Sequence, residues 1–301
     1  MPAPPPESLP AIVRATGTLL VLDRLTVLFA FPAAAFPAAA PGSHYSAMPS
    51  QSQSKQVRAL HRRKERRARG EFLVEGPRVL AELLRADRPV MLVLYTEEAV
   101  VEPAGRLLLT RVVEAGIPTE LVSESELRRH ADTVTPQGWV ATAPQPAWSW
   151  ADVDGARILV LDGVRDPGNV GTLIRAAEAM GATGVVALTG TADPWSPKVV
   201  RAASGSSIRL PILEAEWNDA LAGLRASGTP VWVAASDGEP VGRTEPCPGR
   251  VALVLGNEGA GVSAPIREAA DRIVAIPMRG EVESLNAAVA GAILMDRLFG
   301  G

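Results

Sequence analysis

The chain has 301 residues, 47% of them hydrophobic and only 4% aromatic, which allows one large or two modest domains with mainly aliphatic cores. A formal net charge of −3 does not by itself suggest a nucleic-acid partner. The single cysteine, Cys247, excludes an intramolecular disulfide, and His44, His61 and His130 lack metal-ligand spacing. No metal is therefore expected.

The first 50 residues differ in composition from everything that follows. They are rich in proline and alanine, and an apolar run over residues 18–31 is interrupted by Asp23 and Arg24. That run is too short for a clean membrane span, so no membrane association is expected. Residues 1–50 are predicted to be disordered or a mis-called extension upstream of Met48, with a targeting segment as the alternative.

A dense basic segment follows, with Glu65 as its only acidic residue. Its cations are Lys55, Arg58, Arg62, Arg63, Lys64, Arg66, Arg67 and Arg69. One basic segment in an acidic protein predicts a localised anionic partner. The alternative is a solvated helix face or a flexible tail.

Residues 71–143 alternate between strand and helix patterns. Strands are predicted for EFLVEG, PVMLVLYT, TELV and GWVATA, and helices for PRVLAELLRAD, residues 106–115 and SESELRRH. Ser123 with Glu126 three residues later predicts a capped start of the last helix. This alternation predicts a small α/β domain. A proline-containing linker is expected over residues 144–155.

The second half repeats the alternation and predicts a mostly parallel sheet with helices on both faces. Strands are predicted for RILVLDGV, GVVALT, IRLPIL, PVWVAAS, RVALVLG and DRIVAIP. Helices are predicted for the residues after DPGN, closed by Gly181, for PKVVRAASGS, for residues 219–226 and for SLNAAVAGAILMDRLF. Such sheets bind ligands at the carboxyl ends of their strands. VLGNEGAG and AIPMRG lie at such ends.

Three polar, glycine-bearing segments interrupt this half: DGVRDPGNVGTLIRAAEAMGA, LGNEGAGVS and IPMRGEVESLNAAVA. Each has an ordinary explanation when it is considered alone. Asn169 could be a helix N-cap and Arg175 a surface residue, whereas Ser284 could cap the last helix. The glycines offer neither a Lys-Ser/Thr for a triphosphate nor a G-x-G-x-x-G for a dinucleotide.

Together and in this order, the three segments strongly resemble the motifs of the SpoU/TrmH family of knotted, S-adenosylmethionine-dependent RNA methyltransferases. The resemblance implies a trefoil-knotted α/β catalytic domain over residues 155–301. It also implies a ribosomal-protein-like RNA-binding α/β domain over residues 55–145. A cytoplasmic homodimer is expected, with the final helix, apolar around most of its circumference, as the partner surface.

The resemblance also assigns residues to the site. The donor would lie bent in the knot, beside Leu255, Gly256, Asn257, Gly261, Ile276, Met278, Leu285 and Ala287. The catalytic set would be Arg175, Asn169, Glu258, Ser284 and Asn286, with Glu258 fixing its loop or Asn169. The charge of the basic segment, and not the resemblance, assigns RNA binding to Arg58, Arg62, Arg63, Arg66 and Arg67.

The implied reaction is methyl transfer to a ribose 2′-hydroxyl, which needs a group that engages the hydroxyl proton. Arg175 matches the family's proposed base, although arginine is normally always protonated. Its role as base or as phosphate clamp stays open. Ribosomal RNA is the expected substrate and tRNA the alternative. Two further hypotheses are a non-catalytic RNA-binding protein that retains the fold and an ordinary doubly wound nucleotide-dependent enzyme.

Overall fold

The structure is a computed structural model that describes residues 51–153, 155–242, 249–278 and 284–299. The predicted extension over residues 1–50 lies outside these residues, as does Cys247. The described residues form two β-sheets with helices packed around them.

The first sheet has four strands in the order β1-β4-β2-β3. Only β2 and β3 run parallel; β4 pairs antiparallel with both β1 and β2. The strands are β1 (Glu71–Glu75), β2 (Leu92–Tyr95), β3 (Thr119–Leu121) and β4 (Trp139–Pro144). The helices are α1 (Gln51–Ala59), α2 (Arg63–Arg69), α3 (Pro77–Arg85), α4 (Pro103–Glu114) and α5 (Glu124–His130), with a 3₁₀ turn at Glu98–Val100. The predicted cap of α5 is confirmed, because Ser123 Oγ accepts from the Glu126 N–H at 3.2 Å.

The second sheet has six strands, all parallel, in the order β10-β8-β9-β5-β6-β7. The strands are β5 (Arg157–Asp162), β6 (Gly184–Leu188), β7 (Ile212–Ala215), β8 (Val231–Pro240), β9 (Val251–Gly256) and β10 (Arg272–Ala275). The helices are α6 (Trp150–Val153), α7 (Pro167–Ala179), α8 (Pro197–Ala203), α9 (Ser206–Arg209), α10 (Trp217–Ala226), α11 (Ala264–Glu268) and α12 (Ala287–Phe299). The central strands β5, β6 and β9 are nearly all buried, as is typical of parallel strands with helices on both faces.

Two predictions about this half need correction. The stretch IRLPIL is not one strand, since Ile208 and Arg209 end the short helix α9 and only Ile212 begins β7. The final helix has a narrower apolar surplus than expected, because Leu294, Leu298 and Phe299 are buried within the chain. The apolar residues left outside the core form one stripe at four-residue spacing: exposed Leu285 and Val289, and half-buried Ile293.

The two sheets share a hydrophobic cluster. Phe72 of β1 packs against Trp195 in the segment between β6 and α8, with ring centroids 5.0 Å apart, and Val200 and Ile208 join them. The predicted linker contributes as well, because half-buried Trp148 packs against the cores of both sheets. The four-stranded sheet is therefore docked on the six-stranded one.

Ion pairs across this junction are partly buried. The Arg66 guanidinium is 3% exposed and ion-paired with Asp193, to which its Nε donates at 3.0 Å. Arg201 of α8 donates to Glu75 and to Asp132, each at 2.8 Å. Removing one partner of a buried ion pair leaves the other charge buried without a counter-charge, which is costly. These ion pairs therefore favour one relative orientation of the two sheets.

No helix among the described residues has the length and apolar character needed to cross a membrane.

Candidate active site

The candidate site lies at the carboxyl edge of the six-stranded sheet, where the strand order reverses between β5 and β9. Asp162, the last residue of β5, is paired in register with Gly256, the last residue of β9. The loops that follow these strands therefore leave the sheet side by side. Such switch points are where open α/β sheets bind ligands.

The start of α7 is set by Asp166 and not by Asn169. Asp166 has extended backbone angles, its carboxylate accepts from the Asn169 N–H at 2.8 Å, and Pro167 occupies the first helical position. Asn169 is thereby placed in the first turn, with its side chain available for another contact. The interpretation of Asn169 as the N-cap is wrong.

Asn169 links the loops of the site. Its Nδ2 donates to Glu258 Oε1 at 3.0 Å, and its Oδ1 accepts from Asn286 Nδ2 at 3.1 Å. Asn286 Oδ1 in turn accepts from the N–H groups of Ala288 and Val289, at 2.9 and 3.3 Å. Asn286 is thus the side-chain cap of α12, a role that the sequence suggested for Ser284. All three predicted motif segments meet in this network.

The Glu258 carboxylate is held as an acceptor. Partial burial raises its pKa, but the hydrogen bonds from Asn169 and from nearby backbone N–H groups outweigh this effect and keep the pKa below its usual value. Its two oxygens also accept, at 3.4 Å, from the backbone N–H groups of Arg165 and Asp166. Glu258 therefore fixes Asn169 and the loop after β5, as expected.

The loop after β9 is closed by Asn257. Its backbone exchanges two hydrogen bonds with Gly261, at 3.0 and 2.9 Å, and its Oδ1 accepts from the N–H groups of Gly259 and Ala260. Its Nδ2 donates to the Gly163 carbonyl at 2.9 Å and so ties this loop to the one after β5. Gly261 has φ 71°, which favours glycine.

Gly256 is required by its own loop. A Cβ at this position would lie 2.2 Å from the Gly261 carbonyl carbon and 2.3 Å from the Val262 nitrogen. The resemblance explains this glycine by the space that the donor needs. The structure shows that the close approach is between two parts of the backbone.

The remaining predicted donor residues differ in burial. Leu255 is buried beneath it, Ile276 packs against the core, and Ala287 is half-buried at the start of α12. Met278 and Leu285 are 41% and 37% exposed, unusual values for large apolar side chains. Exposed apolar side chains of this kind suit the faces of an adenine.

Arg175 and Ser284 stand apart from the network. Both are exposed, and neither side chain forms a hydrogen bond to another described residue. Arg175 lies two turns along α7 from its start. The Arg175 guanidinium therefore has no hydrogen-bond partner among the described residues. Its chemical role is a question for experiment.

The predicted RNA-binding arginines separate into two groups. Arg58 and Arg62 are exposed, and Arg63 and Arg67 are exposed while also donating to Glu214 at 2.6 and 2.5 Å. Arg66 is buried against Asp193 and also donates to the Leu60 and His61 carbonyls. Arg66 is thus a structural residue and not an RNA contact, which corrects the prediction.

Thr191 was missed by the sequence analysis. Its buried hydroxyl donates to the Leu161 carbonyl at 2.8 Å and accepts from the Gly163 N–H at 3.1 Å. Thr191, in the segment after β6, therefore fixes the loop after β5 by two hydrogen bonds. A lone threonine in TGTADPW carries no local signal for this role.

Comparisons with known proteins match both halves of the chain. Residues 156–296 match the model of the SpoU rRNA Methylase family, and residues 51–141 match an MRM3-like substrate binding domain. The chain is 36% identical over 250 residues to the 23S rRNA (guanosine(2553)-2'-O)-methyltransferase RlmP of Bacillus subtilis, covering 82% of this chain and 95% of that relative.

Solved structures give the same result. The AdoMet-bound rRNA methyltransferase from Sinorhizobium meliloti superposes with a TM-score of 0.72 at 30% identity, covering 83% of this chain and 95% of that one. The SpoU methyltransferase AviRb from Streptomyces viridochromogenes, in complex with AdoMet, gives 0.72 at 29% identity, with 82% and 97% covered.

The fold and the site define an S-adenosylmethionine-dependent RNA methyltransferase. The carboxyl-edge loops, joined by Asn169, carry the three segments on which the resemblance rests. The chain belongs to the SpoU rRNA methylase family.

Proposed function

We propose that this protein methylates a ribose 2′-hydroxyl of 23S rRNA. The observation that carries the proposal is the Glu258–Asn169–Asn286 network, which joins three loops far apart in sequence at one edge of the sheet. The similarity to RlmP, whose name specifies 2'-O methylation of 23S rRNA, supports this substrate class.

The donor would be held by the loops after β9 and β10. The main chain of residues 256–261 would meet the polar edge of its adenine, and Ile276, Met278 and Leu285 would cover the apolar parts. When bound, S-adenosylmethionine supplies an electrophilic methyl group on a sulfonium. The exposed Met278 and Leu285 side chains support this placement, because a ligand would bury them. The trefoil knot around this site stays a prediction.

As the ribose oxygen takes the methyl group, its proton must leave, and we assign solvent water as the acceptor. Both Glu258 oxygens already accept hydrogen bonds, so Glu258 acts by fixing the Asn169 amide. Asn169, Ser284 and Asn286 orient the ribose. Arg175 presents a guanidinium without a partner among the described residues, which we assign to the phosphate beside the target ribose.

We propose that the two sheets belong to parts of the chain with different functions. We assign residues 55–145 to RNA binding and residues 155–301 to methyl transfer. The match of residues 51–141 to a substrate binding domain supports the first assignment. Ribosomal RNA rather than tRNA is the substrate that this added domain favours, and the cytoplasm is the proposed location.

The proposed assembly is a homodimer. Leu285, just before α12, and Val289 and Ile293 on α12 remain outside the core of the chain. A partner that covers this stripe would also close one side of the donor site. A closed dimer would use the same surface of both subunits.

The test is methyl transfer by the full chain to unmodified transcripts of 23S rRNA and of tRNA, followed by mapping of methylated riboses. We expect one 2′-O-methylated ribose in 23S rRNA. Arg175→Ala should lose most turnover and keep donor affinity, and Arg175→Lys should retain part of the turnover if the charge is what matters. Methylation of tRNA alone, or of neither RNA, would contradict the proposal.

A further inference from the structure

A cavity of about 320 Å³ opens in the four-stranded part, away from the methyltransferase site. It lies where β2 ends, between the 3₁₀ turn, α5 and the loop that leads into β4. Its volume falls in the range of about 300–1,000 Å³ that is typical of small-ligand pockets. Nothing in the catalytic assignment uses it.

The cavity has a built wall. Thr96 lines it and is only 2% exposed, yet its Oγ1 has no hydrogen-bond partner among the described residues. Gly138, also in the wall, has φ 78°, and a Cβ there would lie 2.6 Å from the Ala99 Cβ and 2.9 Å from Thr96 Oγ1. A hydroxyl that has no protein partner in the wall of a cavity can donate to or accept from a polar ligand.

The lining matches a nucleobase better than a phosphate. Two carboxylates, Glu98 and Glu124, face the cavity and would repel an anion, but they can accept N–H bonds from a base. Glu124 is already paired with Arg128 at 2.7 Å, whereas Glu98 is exposed and its carboxylate has no hydrogen-bond partner in the described part of the chain. Leu127 and Pro136 supply apolar surface for a ring face.

Basic residues connect this cavity to the predicted RNA surface. The Arg58 Nε donates to the Ser54 carbonyl, and Ser54 Oγ lies 3.2 Å from His130 Nε2, so α1 is tied to the end of α5. Arg129, next to His130, is exposed, as is Arg58. The basic face of α1 therefore borders α5, the helix whose Glu124, Leu127 and Arg128 line the cavity.

We propose that this cavity receives one unpaired nucleobase of the substrate RNA, with guanine preferred. Guanine has adjacent N–H groups, and a free carboxylate such as that of Glu98 can accept hydrogen bonds from them. Thr96 and Gln137 can form hydrogen bonds with the other polar atoms of the base. Arg58 and Arg129 contact the neighbouring phosphates. The proposal rests on the proposed function, since it identifies the RNA feature that the substrate-binding part recognises.

The test compares Glu98→Gln with Glu97→Gln in the full chain. Both substitutions remove one negative charge from the same turn, but Glu97 is exposed and does not line the cavity. If only electrostatics matters, both variants bind an unmodified 23S rRNA transcript slightly more tightly. If the cavity holds a base, Glu98→Gln weakens binding about tenfold and Glu97→Gln does not.

Thr96→Val, which keeps the side-chain shape, should weaken binding in the same direction, and donor binding should stay unchanged in all three variants as a check of folding. GMP should perturb the Thr96 and Gly138 amide resonances more than UMP does. Equal RNA affinity of Glu98→Gln and Glu97→Gln, with Thr96→Val at wild-type affinity, would overturn the proposal. A wild-type protein that methylates no RNA would instead overturn the proposed function.

Discussion

Asn286, at the start of α12, donates its amide to Asn169 in the first turn of α7, across 117 positions of sequence. The opposite end of the Asn169 amide donates to Glu258. Since an amide has one donor end and one acceptor end, these two partners fix which way it faces. The network thus sets the orientation of the one side chain that all three loops share.

Glu258→Gln should disturb this orientation, because the glutamine can present an N–H where Asn169 needs an acceptor. We expect turnover to fall about tenfold while donor affinity changes little. Steady-state methyl transfer and calorimetric donor titration measure the two effects. Glu268→Gln, at an exposed position of α11, is the matched control and should behave as wild type. A Glu258→Gln enzyme with normal turnover would show that the network is dispensable.

Gly256→Ala should damage the donor loop, because its Cβ would meet the backbone at Gly261 and Val262. We expect a loss of about 1–3 kcal/mol in the free energy of unfolding and weaker donor binding. Gly259→Ala is the control, since a Cβ there meets only Asn257 Oδ1, at 3.7 Å. Urea unfolding and donor titration test the pair, and equal behaviour would refute the backbone explanation.

The arginines of the basic segment should separate by phenotype. Arg58→Ala with Arg62→Ala should weaken RNA binding and reduce its salt dependence by roughly one unit of slope per lost phosphate contact. Arg66→Ala should instead lower the free energy of unfolding by about 3 kcal/mol, because it leaves the Asp193 carboxylate buried and unpaired. Arg63→Ala breaks only an exposed pair and should cost less than about 1 kcal/mol. RNA titration across a salt series and urea unfolding distinguish these outcomes; a stable Arg66→Ala variant with weak RNA binding would reverse our assignment.

His130 should make stability depend on pH. Its burial, with help from the charges of Arg58, His61 and Arg129, lowers its pKa from 6.5 to about 4. Between these values the unfolded chain binds the proton and the folded chain does not, so the free energy of unfolding falls as pH drops from 6.5 to 4. The loss should approach roughly 3 kcal/mol. His130→Gln, which can keep a contact to Ser54, should flatten this part of the profile, and thermal unfolding between pH 4 and 8 is the measurement.

Val289→Asp should dissociate the proposed dimer. Val289 is 48% exposed in one chain, so an aspartate is tolerated there until a partner buries it. Light scattering should show a monomer, and an activity assay should show that this monomer has lost methyl transfer. Val113→Asp, at a site on α4 that is 51% exposed, should leave the dimer intact. A fully active Val289→Asp monomer would rule out a functional role for this interface.

Much of this architecture follows from local patterns. The Ser123 cap and the positive φ of Gly181 depend on neighbouring residues, and the parallel strands appear as continuous apolar runs. The three motif segments were also evident as polar, glycine-bearing interruptions of a regular alternation. Hydrophobic periodicity and cap chemistry are readable because they act over a few residues.

What the sequence could not show depends on distant partners. Arg66 looks like its basic neighbours, and only the approach of Asp193, 127 positions later, makes it a buried structural residue. Asn169 and Asp166 are both good caps, and Pro167 at the first helical position favours Asp166, whereas the contact of Asn169 with Glu258 depends on a residue 89 positions away. Side chains of one type therefore take different roles according to tertiary contacts that carry no local signature.

The four-stranded sheet is docked on the six-stranded one by direct contacts among the described residues. These contacts are the hydrophobic cluster around Phe72 and the ion pairs of Arg66 and Arg201. If the proposed function is correct, the docked sheets hold the basic face and the carboxyl-edge loops at a fixed distance from each other. An RNA satisfies both surfaces only if its fold presents an anchoring nucleotide and a target ribose at that separation. The protein thus acts as a gauge of RNA shape, and a short oligonucleotide that holds only the target nucleotide should be a poor substrate.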